Sequence, residues 1–73
     1  MNPHPLLLTI YRLPPSRATV AVLKKEISAS AETTRATLLQ LTETALLVHH
    51  EGHYTLTRKG LQIVLNYLGK TTP

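Results

Sequence analysis

Leu38-Leu39-Gln40-Leu41-Thr42-Glu43-Thr44-Ala45-Leu46-Leu47-Val48, answered after five residues by Tyr54-Thr55-Leu56-Thr57-Arg58-Lys59-Gly60, holds the change of period that decides the fold. Upstream of this stretch, Ser28-Ala29-Ser30-Ala31-Glu32 reads as a helix start. Ser30 is placed to accept a backbone N–H, and Glu32 sits in the first turn, where the helix dipole favours an anion. The helix that follows is expected over about 31–43. On a 3.6-residue wheel Thr34, Leu38, Leu41 and Ala45 share one side. Glu32, Thr33, Ala36 and Gln40 lie opposite, with Arg35 and Leu39 on one flank and Thr37 on the other. From Leu46 the helical period stops. Leu46-Leu47-Val48 and Tyr54-Thr55-Leu56-Thr57 are short runs of β-formers around His49-His50-Glu51-Gly52-His53, which predicts a β-hairpin over about 46–57.

Downstream, an amphipathic helix is predicted after Lys59-Gly60, with Leu61, Val64, Leu65 and Leu68 on one stripe and Ile63 and Tyr67 outside it. Upstream, Val20, Leu23 and Ile27 mark one face of a second helix whose other side carries Lys24, Lys25 and Glu26; Thr19 or Ser16 could cap it. The apolar cluster Leu6, Leu7, Leu8, Ile10, Tyr11 and Leu13 predicts a first helix of about two turns, stopped by Pro14-Pro15 because neither proline fits a helix interior. The order helix, helix, helix, hairpin, helix describes one mainly α domain over residues 1–73 with a small hairpin, an ordered core of about 6–69 and loose ends at Met1–Pro5 and Thr71–Pro73.

The chain has 73 residues and a net charge of +4, from eight Lys and Arg against four acidic residues, all of them Glu. That balance favours a polyanionic partner. With no Cys or Asp and no Gly-rich phosphate loop, no disulfide framework, thiolate metal site, triad or nucleotide motif can be assembled, so the reading is not an enzyme and carries no cofactor. Leu6-Leu7-Leu8 is interrupted by Thr9, Tyr11 and Arg12 and has no basic leader, so it reads as neither a signal peptide nor a membrane span, and a cytoplasmic location is expected. A chain of this size has little room for a separate ligand-sensing domain, and its modest core would gain from dimerisation.

Two helices joined by a short turn and followed by a two-stranded wing can read DNA, the second helix of the pair lying in the major groove. The quoted stretch resembles the winged helix-turn-helix domains of small MarR-, PadR- and ArsR-type transcriptional regulators. In those families a recognition helix ends in a leucine pair, a short turn leads to an apolar strand, and a Tyr-x-Leu-Thr-x-x-Gly segment closes the wing. The resemblance covers roughly Leu6 to Leu68, with its specific motifs after Ser30. It implies a duplex-DNA-binding regulator. Ala45 departs from the pattern, since these families usually place glycine there; a positive φ at Ala45 would cost up to about 1 kcal/mol.

In that geometry Glu32, Thr33, Arg35, Ala36, Thr37 and Gln40 would approach base edges. Arg35 can pair bidentately with guanine and Gln40 with adenine, while threonine methyls suit the thymine methyl. The competing view is an ordinary solvated helix face, because one basic residue is few and Glu32 repels phosphates. Phosphate contacts fall to Arg17, to Lys24 and Lys25, and to Arg58 and Lys59, although Lys24 and Lys25 also read as a plain solvated face. His49, His50 and His53 crowd the wing and read as DNA contacts, surface residues or, least favoured, metal ligands; neighbours on a strand point to opposite faces, so His49 and His50 do not easily share an ion.

Leu6, Leu8, Ile10, Ile63 and Tyr67 exceed what a small monomer needs to bury, which predicts a homodimer through the terminal helices. The rival reading is a winged-helix module for protein contact within a larger assembly, favoured by Leu39, Glu32 and the thin positive charge of the third helix. RNA binding is weaker, because the only aromatics, Tyr11, Tyr54 and Tyr67, have roles in a core or interface.

Overall fold

A computed structural model describes residues 3–69. Among them the chain forms α1 (Pro5–Arg12), a 3₁₀ turn (Pro15–Arg17), α2 (Val20–Glu26), α3 (Ala31–Glu43), β1 (Leu47–His50), β2 (His53–Leu56) and α4 (Arg58–Leu68). The fold is therefore mainly helical, with one small two-stranded antiparallel sheet. Of the ends expected to be loose, Met1–Asn2 and Thr71–Pro73 lie outside the described residues, but Pro5 opens α1. Its fixed φ suits the first helical position, and His4 Nδ1 accepts from the Leu6 N–H at 3.0 Å, which places the imidazole proton on Nε2.

Each helix start is set by a side-chain oxygen or nitrogen. Thr19, not Ser16, caps α2, and Ser30 caps α3 by accepting from Thr33 N at 3.1 Å. Thr57 caps α4 by accepting from Gly60 N at 3.1 Å, so α4 begins at Arg58, three residues earlier than expected, and takes Lys59 and Gly60 into its first turn. The ends of α2 and α3 share one geometry. Ala29 N donates to Lys24 O at 3.0 Å and Ser28 N to Lys25 O at 3.3 Å; Leu46 N donates to Leu41 O and Ala45 N to Thr42 O, both at 3.0 Å. These are paired Schellman bonds, and they require a left-handed residue just past each helix. Ser28 (φ 54°) and Ala45 (φ 64°) fill that position without being glycine. Ala45 is accordingly outside α3 and exposed, not on its core side as the wheel had it.

The hairpin is tighter than its sequence suggests. Leu47 faces Leu56, Val48 faces Thr55, His49 faces Tyr54 and His50 faces His53, leaving only Glu51-Gly52 as the turn. Both turn residues have positive φ, 50° and 81°, as a type I′ connection demands. The three histidines are thus strand residues, not a five-residue loop. Opposed residues share a face, so Leu47, Leu56, His49 and Tyr54 point one way and Val48, Thr55, His50 and His53 the other.

The core gathers Leu6, Leu7, Ile10, Ala18, Leu23, Leu38, Leu47, Tyr54 and Val64, with Thr9 and Thr34 buried among them. The two threonines fit because their hydroxyls donate within their own helices, Thr9 to Pro5 O at 3.0 Å and Thr34 to Ser30 O at 2.8 Å. Of the residues expected to exceed the core, Leu6 and Ile10 are consumed by it, Leu8 and Ile63 are half-buried, and Tyr67 stays exposed. In α4 the buried line is Gly60 and Val64, while Leu61 and Leu68 are exposed, so the expected stripe is turned partly outward.

The rotation of α4 has a local cause. A side chain at Gly60 would overlap the Leu46 carbonyl oxygen and press on Leu56 Cδ2 at 3.3 Å. The absent Cβ lets α4 lie directly on the hairpin base, and that contact, not the count of leucines, sets which face turns inward. Thr57 completes the junction, its N–H donating to Leu46 O at 3.1 Å and its hydroxyl to Ala45 O at 2.6 Å.

Candidate nucleic-acid interface

The outward face of α3 is built from the burial of the opposite one. Thr34 and Leu38 are fully buried and Leu41 half-buried, which turns Glu32, Thr33, Arg35, Ala36, Leu39 and Gln40 into solvent. Thr37 is half-buried, so of the six residues expected to approach bases it is the one turned partly away. Thr33 is tied into the cap, its Oγ1 accepting from Ser30 Oγ at 3.0 Å, which leaves its methyl and its own O–H for an outside group. Arg35 and Gln40 are exposed, and among the described residues no other side chain competes for their donors.

Leu39 is 61% exposed, the most exposed large apolar side chain of the described residues. On the helix wheel it is a flank position. The structure adds Val48, 48% exposed on the outer face of the hairpin, which its place in a run of β-formers had disguised. The only sequence signal for it was alternation, because Leu47 and Val48 cannot both face the core.

The cations sit near both ends of α3. Lys24 and Lys25 occupy the last turn of α2, joined to the start of α3 by the short turn Ile27–Ser30. Arg58 and Lys59 open α4, and the Thr57 hydrogen bonds to Ala45 and Leu46 hold that opening against the exit of α3. Thirteen residues of helix span about 20 Å, so the two pairs of positive charge lie by opposite ends of α3. Lys25, Arg58 and Lys59 are exposed and Lys24 is half-buried. Arg17 projects from the 3₁₀ turn, apart from both pairs in sequence, and is exposed.

The hairpin histidines separate. His49 stacks on Tyr54 with ring centroids 4.4 Å apart and planes 7° from parallel, so it extends the inner face beyond the core. His50 and His53 oppose one another on the outer face beside the turn. His53 Nδ1 lies 3.1 Å from the Glu51 carbonyl oxygen, a contact that a donor at Nδ1 satisfies, and His50 Nε2 lies 3.8 Å from Glu51 Oε1 at the exposed tip. Among the described residues no three His, Cys, Asp or Glu side chains come together in a way that could hold a metal ion.

A bond beyond the hairpin ties it to the helix pair. Tyr54 N donates to Ala18 O at 2.9 Å, so the residue before the Thr19 cap of α2 lies along the edge of β2. The hairpin, the start of α2 and the exit of α3 are thereby held in one frame. No helix of the described residues is long and apolar enough to cross a membrane. No protein-family model, curated protein or solved structure matches this chain.

Proposed function

We propose that this chain is a winged-helix, sequence-specific duplex-DNA-binding protein that regulates transcription, with α3 in the major groove and the hairpin alongside the backbone. The observation that carries the reading is α3, a 13-residue helix with an exposed polar side, with Lys24 and Lys25 near one end and Arg58 and Lys59 near the other. Phosphates flank a groove on both sides, so cations at the two ends of a reading helix fix its register, while Arg35 and Gln40 between them supply bidentate contacts to guanine and adenine. The Tyr54–Ala18 bond supports the same reading, because a groove-reading helix and its hairpin must hold one geometry to meet a rigid duplex.

The test is selection from random duplex DNA with the purified chain at two salt concentrations. Recovery of a short enriched sequence, with affinity that falls as salt rises, is the expected result. Arg58→Ala and Lys59→Ala should each lower the slope of log affinity against log salt by about 0.9 with sequence preference unchanged, and Arg35→Ala and Gln40→Ala should relax preference at one position each. Binding without enrichment would remove α3 from the reading role.

A second reading rests on Leu39 and Val48. Two exposed apolar side chains are more than a surface that meets only phosphates and bases requires, and they favour a protein-contact module within a larger assembly. In that case DNA selection returns nothing, and Leu39→Ser abolishes partner binding while leaving the fold intact.

A further inference from the structure

The surface formed by α1, the end of α2 and α4 carries a groove of about 570 Å³ lined by Leu8, Tyr11, Ile27 and Leu68, with Arg12 and Glu26 also at its walls. From Leu68 in its wall, Leu65 and Leu61 follow back along α4 at steps of three and four residues. That spacing makes a narrow apolar seam, the pattern by which one helix packs along another. It lies roughly a quarter turn round the helix from the buried Gly60 and Val64, at 100° per residue, and so is left outside the core by the seating of α4 on the hairpin base. Leu61 is 38% and Leu68 40% exposed.

We infer that this surface is a two-fold interface with a second copy of the same chain, with the leucine seams of the two α4 helices packed together and Arg12 of each copy set against Glu26 of the other. Charge identifies the occupant. Arg12 at the end of α1 and Glu26 at the end of α2 are both exposed and share the walls of one groove and of the smaller depression beside it. Among the described residues neither forms an ion pair. A surface that carries one cation and one anion side by side is complementary to itself under a two-fold rotation, because an axis passing between them lays each on its opposite. A foreign partner gives no reason for both signs to line one apolar groove, whereas a second copy supplies both at once. The small core gives the association a physical motive, since a domain of this size buries a modest fraction of its surface when alone.

The inference stands apart from the DNA reading and is tested without DNA. Sedimentation equilibrium of the full chain is expected to give twice the 8.1 kDa monomer mass, with dissociation on dilution. Leu61→Glu with Leu68→Glu should give a monomer with an unchanged helical circular dichroism spectrum. The charge pair has its own readout. Arg12→Glu alone and Glu26→Arg alone should each weaken self-association about tenfold, because like charges then face each other across the axis. An equimolar mixture of these two single variants should associate as tightly as the wild type, since a copy with two Glu then meets a copy with two Arg. A wild type that stays monomeric up to millimolar concentration, or a mixture no tighter than either variant alone, overturns the inference.

Discussion

Gly60→Ala is the substitution on which two lines of physical reasoning give opposite signs. Helix propensity alone says that alanine in the first turn of α4 stabilises by up to about 1 kcal/mol. The contact geometry says otherwise, because the new methyl occupies the space of the Leu46 carbonyl oxygen and crowds Leu56 Cδ2 at 3.3 Å. A backbone carbonyl cannot swing aside as a side chain can, so α4 must lift from the hairpin base. Overpacking of this kind costs about 1–3 kcal/mol. Lifting the helix also stretches the hydrogen bonds from Thr57 to Leu46 and to Ala45, each contributing about 0.5–1.5 kcal/mol. After the propensity gain is set against these losses, the expected destabilisation is about 2–4 kcal/mol. That is a large share of the roughly 4–11 kcal/mol expected for a chain of this length. Urea unfolding followed by far-ultraviolet circular dichroism reads it directly. With a slope near 1 kcal/mol per molar, the midpoint should fall by about 2 M or more. A midpoint equal to or above the wild type at the same slope would show that the close approach of α4 to Leu46 does not exist in solution.

Three further outcomes follow from the same geometry. Ala45→Gly relieves a left-handed alanine at the end of α3 and should raise stability by about 0.5–1 kcal/mol, a rise of about 2–8 °C in Tm by calorimetry; a fall would mean that the Schellman bonds do not set this helix end. Thr57→Val removes the cap of α4 and the bond to Ala45 O, so a loss of about 1–2 kcal/mol and faster hydrogen exchange at the Gly60 amide are expected, against unchanged exchange at the cap of α3. His49→Ala should cost about 0.5–1.5 kcal/mol and alter the near-ultraviolet signal of Tyr54, while His50→Ala at the exposed tip stays within about 0.5 kcal/mol; equal effects would contradict the stack.

The parts of the fold that local chemistry decides were legible in the sequence. Ser30 as a cap and the spacing of Thr34 and Leu38 placed α3 over Ala31–Glu43, and Pro14-Pro15 closed α1. What escaped was set by contacts distant in the chain. His49, His50 and His53 are not strong β-formers, so the hairpin was read with a wide loop; it is the cross-strand pairing that makes them strand residues. Gly60 looked like the punctuation before a helix, and only the proximity of Leu46 shows that it lies inside α4 and turns Leu61 and Leu68 outward. Of the candidate interface, the outward set Glu32, Thr33, Arg35, Ala36 and Gln40 came from the wheel. The bracketing of α3 by Arg58 and Lys59 did not, because it depends on the Thr57 bonds that bring residues twelve apart together.

Those Thr57 bonds close a loop whose two ends are latched independently of what lies between them. Ala45 and Leu46 on one side and Thr57 to Gly60 on the other form a fixed socket, and the arm that rises from it ends in an exposed two-residue turn. A lengthened or rebuilt tip at Glu51-Gly52 therefore leaves the helices undisturbed, and the reach of the arm can diversify, or be grafted from another sequence, without renegotiating the core.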